Sequence, residues 1–109
     1  MKKEELDPKV FEIHADFCSV MASATRLRIM WLLREGEKSV TELSAVLELT
    51  VPNVSQHLRI MRDKGAVKTR KQGQTVFYMI SNQKFVKGLT LIREGINEQY
   101  KKNVEDMSS

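Results

Sequence analysis

Three short polar side chains stand close together in the stretch LELTVPNVSQHLRIMRDKGAV, residues 47–67: Asn53, Ser55 and Gln56. An amide carries a donor and an acceptor side by side and can pair bidentately with an adenine edge. A serine hydroxyl can donate or accept, and a guanidinium such as that of Arg59 prefers guanine. Long charged chains at the start of a helix would hold it too far from such base edges. Basic residues follow instead. Arg59, Arg62, Lys64, Lys68, Arg70 and Lys71 stand against Asp63 alone between positions 59 and 74. That segment carries +5 of a chain total of +4, leaving −1 elsewhere. A basic patch on a nearly neutral body is the footprint of a polyanion partner, where cations give affinity without sequence information. A solvated charged face is the plainer reading of the same run.

Other chemistry is sparse. His14 and Cys18 are spaced i, i+4 and could meet one metal ion on a helix face. Two ligands per chain make four only if two such pairs meet across a dimer axis. The plainer role for both is packing along an apolar stripe. Cys18 alone could also be alkylated, oxidised or joined to its mate. His57 reads as a partly buried packing or hydrogen-bonding residue, and the six methionines as core fillers. There is no nucleophile–base pair, no glycine-rich phosphate loop and no paired acids at useful spacing. The expectation is a protein that is not an enzyme and needs no cofactor or metal.

The chain has 109 residues, 41% hydrophobic and 29% charged, which suits one soluble globular domain over 1–109. No apolar run approaches the roughly 20 residues of a membrane span. The two opening lysines have no apolar signal core behind them, and the single cysteine excludes an intrachain disulfide framework. A cytoplasmic location, with no membrane partner, is expected.

The elements that must position these groups are mostly helical. A first helix over 8–21 follows Asp7 as N-cap and Pro8 in its first turn. A second, over 23–34, contains LRIMWLL, apolar almost all round, and should be central. A third, short helix over 40–47 is capped by Ser39 or Thr41, with Leu43, Val46 and Leu47 inward. After a turn at residues 48–50, Thr50 caps a fourth helix with Pro52 in its first turn. Val54, Leu58 and Met61 share its inner face, and Gly65 ends it. Val67 and Thr69, then Val76, Tyr78 and Ile80, alternate as in strands around a turn containing Gly73. A last helix covers about 82–102. The fold class expected is mostly α with a small β-hairpin: a winged helix-turn-helix over 40–64 with a two-stranded wing over 66–80. In such a layout the third helix braces the fourth, and the fourth lies in the DNA major groove with its N-terminal residues toward the bases.

The stretch VTELSAVLELTVPNVSQHLRIMRDKGAVKTRKQGQTVFYMI resembles the ArsR/SmtB family of bacterial and archaeal repressors. SATRLRIMWLL is similar to the start of the family's second helix. The resemblance covers about 17–80 strongly. It implies a homodimer on an inverted-repeat, usually AT-rich, promoter site, released by an inducer or a thiol modification. By position it implies that Asn53, Ser55, Gln56 and Arg59 face bases or nearby phosphates, with Arg70, Lys71 and Gln74 on the wing. Thr50 and Pro52, at the start of the fourth helix, complete the candidate DNA-binding set. The chain departs from the family's sensing sites. Where one branch has a Cys-x-Cys pair in the brace helix, this chain has Ser44 and Val46. The last helix contains no histidine for a second kind of metal site. GEKSVTEL is similar to the dithiol, persulfide-sensing branch, but that branch's two cysteines are missing, with Trp31 near the first place.

A dimer is expected on other grounds as well. The first and last helices, 8–21 and 82–102, carry apolar stripes that one small bundle need not consume. Phe11, His14, Phe17, Cys18, Phe85, Leu89, Ile92 and Ile96 are the candidate interface. Gly88 and Gly95 lie seven residues apart beside the last stripe. Each costs about 1 kcal/mol against alanine inside a helix, which a close helix crossing would explain. A winged helix serving as a protein–protein adaptor is the rival function. It would need no polyanion footprint.

Overall fold

The structure is a computed structural model that describes residues 6–108. Helix α1 (Pro8–Cys18) runs into a 3-10 turn (Ser19–Met21), followed by α2 (Ala24–Leu33), strand β1 (Lys38–Ser39), α3 (Val40–Leu47), α4 (Val51–Asp63), strands β2 (Val67–Gln72) and β3 (Thr75–Ile80), and α5 (Gln83–Ser108).

Side-chain caps set the helix starts. Asp7 accepts from the Lys9 N–H at 2.9 Å and Ser23 from the Arg26 N–H at 3.3 Å. Ser39 and Glu42 form a reciprocal capping box at the head of α3, each bond 3.2 Å. Thr50 Oγ1 accepts from the Asn53 N–H at 3.3 Å to open α4. Glu48 ends α3 in a left-handed conformation, φ 55°, which lets the chain reverse within three residues. Gly65 ends α4 at φ 84°, where its N–H reaches Arg62 O at 3.0 Å.

One core joins α2, α3, α4 and the sheet. Ile29, Met30 and Leu33 of α2 meet Leu43 and Leu47 of α3 and Val54, Leu58 and Met61 of α4. Val20, Ala66, Val67 and Ile80 close it. Helix α1 buries no residue, and α5 only half-buries Phe85, Val86 and Leu89 against this core. The radius of gyration is 17.0 Å, against about 13 Å for a compact domain of this length. The excess comes from two helices that project apolar surface beyond the core.

Several expectations need correction. The expected two-stranded wing is present as the β2–β3 hairpin, but the two-residue strand β1 adds to its edge, making a three-stranded antiparallel sheet in the order β1-β3-β2, with Lys38 opposite Tyr78 and Ser39 opposite Phe77. A two-residue strand has no periodicity to read. Its pairing makes β3 central, so Phe77 and Met79 are half-buried along with Val76 and Tyr78. Val46 is 57% exposed, not inward; Ser44 is buried instead, its Oγ without a hydrogen-bond partner. The core face of α3 centres between Leu43 and Ser44, and Val46 lies about 110° round the helix from it. The first helix stops at Cys18 and tightens into the 3-10 turn before Met21. The last helix continues past Lys102.

Leu58 and Val46 offer a contrast in solvent denaturation. Leu58→Ala is expected to destabilise the fold by about 2–5 kcal/mol through the cavity it leaves. Val46→Ala should change stability by less than about 0.5 kcal/mol.

Candidate nucleic-acid interface

Helix α4 is divided cleanly. Val54, Leu58 and Met61 are fully buried, which pins one face to the core. The opposite face therefore points outward: Pro52, Asn53, Gln56 and Arg59 are exposed, and Ser55 is half-buried on the flank. Thr50 is exposed but its hydroxyl oxygen is engaged in the cap. No acidic side chain stands in the first turn of α4, so nothing offsets the positive end of its dipole. His57 is half-buried, with Nδ1 3.4 Å from Arg26 Nη1. Arg26 in turn donates from Nε to Val20 O at 2.7 Å, so one guanidinium ties the 3-10 turn to the side of α4.

The wing follows directly. Gly73 and Gln74 make a two-residue turn between Gln72 and Thr75, with Gly73 at φ 62°, the residue type that the first position of a II′ hairpin turn requires. Lys71 and Gln74 are exposed at this tip. Arg70 is not free. It donates from Nε to Glu37 Oε2 at 3.0 Å and from Nη2 to Glu37 Oε1 at 2.5 Å. Its Nη1 reaches Gln72 Oε1 at 3.0 Å, and Cζ lies 5.0 Å over the Phe77 ring. These hydrogen bonds, and then the guanidinium charge, hold the Glu37 carboxyl below its ordinary pKa. The same hydrogen bonds raise that of Arg70. Glu37 escaped the sequence reading because its partner lies 33 positions away. Its nearness to Arg70 follows from β1 pairing with β3.

A second cation of the patch is also engaged. Lys64 Nζ bonds both oxygens of Asp16 on α1, at 2.7 and 2.9 Å. Among the described residues Arg59, Arg62, Lys68 and Lys71 have no carboxylate partner. The +5 counted along the chain is thus offset by two acids from outside the segment.

The candidate dimer residues divide as well. His14, Phe17 and Cys18 of α1 and Phe85, Leu89 and Ile92 of α5 line one groove of about 460 Å³, floored by Phe17 against Phe85 with ring centroids 4.4 Å apart. Phe11 is exposed outside it, and Ile96 lines a different hollow. His14 and Cys18 share the groove, but among the described residues no three His, Cys, Asp or Glu side chains gather into a metal centre. Nor is any described helix long and apolar enough to cross a membrane.

Brace helix, short turn, outward-facing second helix and sheet wing define a winged helix-turn-helix protein. A family model described as "Bacterial regulatory protein, arsR family" matches residues 23–69. The chain is 50% identical over 62 residues to the transcriptional activator HlyU of Vibrio cholerae, a match covering 57% of each protein. It is 31% identical to the biofilm growth-associated repressor of Xylella fastidiosa, covering 77% of this chain and 73% of that one. The solved structure of V. cholerae HlyU superposes with a TM-score of 0.72 at 38% identity, over 79% of this chain and 94% of that one. A Mycobacterium bovis domain, described as a homodimeric winged helix-turn-helix DNA-binding domain, shares the fold: TM-score 0.80, 21% identity, coverage 87% and 88%. The chain belongs to the ArsR family. It spans about half the length of several curated relatives, 57%, 49% and 55% of three of them.

If Glu37 holds Arg70 off a polyanion, Glu37→Gln frees one cation. Duplex-DNA affinity measured by fluorescence anisotropy is expected to rise, and the slope of log K against log salt to steepen by about 0.9. Because the Glu37 pKa is lowered, acidification mimics this variant only below the ordinary carboxylate range. At neutral pH Glu37 stays ionised, and Arg70 reaches a phosphate only by exchanging this carboxylate for it.

Proposed function

We propose that this protein is a homodimeric transcriptional regulator, a repressor that binds an inverted-repeat promoter site on double-stranded DNA in the cytoplasm. The observation that carries the reading is the two-sided α4. Its buried apolar face fixes its orientation, and its exposed side presents uncharged hydrogen-bonding groups at the N-terminal end. Four cations with no carboxylate partner among the described residues flank them on α4 and the wing. Asn53, Gln56 and Ser55 are assigned to base edges in the major groove. Arg59 is assigned to bases or adjacent phosphates, Thr50 and Pro52 to positioning, and Lys71, Gln74 and Arg70 to the minor groove or backbone. Residues 40–64 form the DNA-reading unit and 66–80 the wing, all within one domain.

The dimer reading rests on exposure. Val10, Phe11 and Ile13 on α1 and Ile92 and Ile96 on α5 are each more than half exposed, too much contiguous apolar surface for a small monomer to leave in water. A Cβ added at Gly88 or Gly95 meets nothing within 4 Å among the described residues, and a second chain packed closely on that flank would give those glycines a steric reason. That the M. bovis domain is described as homodimeric agrees with this.

Two experiments test the reading. Gln56→Ala is expected to weaken operator binding by about 1–3 kcal/mol and relax one base position, whereas Lys71→Gln should weaken all duplexes alike and flatten the salt slope. Wild-type protein that fails to bind duplex DNA at low salt would favour the adaptor role. In sedimentation, replacing Gly88 and Gly95 together with leucine is expected to shift the dimer toward monomer; an unchanged dimer would remove that side of α5 from the interface.

A further inference from the structure

Trp31 on α2 holds two arginines. The Arg34 guanidinium lies 3.9 Å from the ring centroid and that of Arg93, on α5, 4.2 Å. The two differ in what else they bind. Arg34 spends its donors locally, Nη1 on Trp31 O at 2.8 Å and Nη2 on Glu35 at 3.2 Å. Arg93 has no carboxylate partner among the described residues, and neither has Arg28, which lines a smaller neighbouring hollow together with Trp31 and Arg93. The ring thus sits in a locally cationic neighbourhood with donors to spare.

Beside it, between α2 and α5, opens a hollow of about 540 Å³. Leu27, Trp31, Leu89, Ile92 and Ile96 supply apolar walls, and Arg93 and Asn97, one turn apart on α5, complete the lining. This volume falls in the range of small-molecule sites, and the pattern of mostly apolar walls with a few polar groups is the one such sites share. We propose that this hollow is a binding site for an amphipathic organic monoanion, an aryl- or alkyl-carboxylate. Its apolar body lies against Trp31 and the isoleucines, and its carboxylate takes the free fork of Arg93. A guanidinium donates two parallel hydrogen bonds to a carboxylate, and Asn97 supplies a further donor. Of the arginines around Trp31, Arg93 is the one that lines this hollow, and one guanidinium beside one neutral amide balances a single negative charge, not a dianion.

The geometry of α5 favours a small molecule here over a second copy. At about 100° per residue, Arg93 and Asn97 lie on one flank of the stripe formed by Phe85, Leu89, Ile92 and Ile96, while Gly88 and Gly95 lie on the other. A mate packed through the glycine flank leaves the Arg93 flank open. The α1–α5 groove that contains Gly88 is separate from this hollow, sharing only Leu89 and Ile92 with it.

Trp31 is the only tryptophan, so its emission reports on the site directly and independently of DNA binding. Full-length protein would be titrated with 3-phenylpropionate and octanoate, and with their neutral amides, by tryptophan fluorescence and isothermal calorimetry. The acids are expected to give a saturable change in both readouts, with the amides at least about tenfold weaker, as loss of a charge-assisted hydrogen-bonded pair implies. Arg93→Gln should weaken the acids by a similar factor. Asn97→Glu, which sets a carboxylate one turn from Arg93, should do so while keeping the Arg93 side chain. No saturable signal from either acid, amides binding as well as acids, or acids binding both variants as they bind wild type would each overturn the proposal.

Discussion

Everything outward-facing in this protein depends on the burial of one face of α4. Val54, Leu58 and Met61 have no solvent exposure, and their helix packs on α3, β2 and α2. A helix held by three such contacts cannot roll, because rolling would carry Asn53 or Gln56 inward without hydrogen-bond partners and bring apolar groups into water. The polar face is therefore defined by the core beneath it. The cap at Thr50 and the left-handed Glu48 then fix where the face begins, and the Arg26–His57 contact braces its flank.

Charge follows a second logic, one that the fold imposes on the sequence. Two of the six cations between positions 59 and 74 are engaged by acids brought from outside that segment: Lys64 by Asp16 of α1 and Arg70 by Glu37 beside β1. The first pair joins α1 to the end of α4. The second joins the wing to the approach to α3. What remains for a polyanion is a smaller set on α4 and β2, and Arg70 answers to Glu37 before it answers to any phosphate. Exposed pairs of this kind add little stability. Their effect is on which charges are available.

Helices α1 and α5 stand apart from the core and leave apolar surface on two sides. One side forms the α1–α5 groove and suits a second copy. The other, between α2 and α5, carries the Trp31–Arg93 stack and an apolar hollow. A helix that touches the core through only its first turns and continues well beyond it is suited to both tasks. The dimer and a ligand can take opposite flanks of the same stripe.

Local information in the chain was enough for the winged helix-turn-helix. Caps at Asp7, Ser39 and Thr50, the apolar spacing of Val54, Leu58 and Met61, and the glycines at 65 and 73 act over one to four residues. Such signals survive in a linear reading. The exposed set at Pro52, Asn53, Gln56 and Arg59 was legible for the same reason, since it is the complement of a readable apolar face. Tertiary structure alone decided the third strand, the outward turn of Val46 and the partners of Arg70, Lys64 and Arg93. Each of these depends on residues tens of positions apart or on the exact placement of an element too short to carry a period. No pattern within a few residues encodes which acid will reach which base, so those contacts emerge only when the chain is folded.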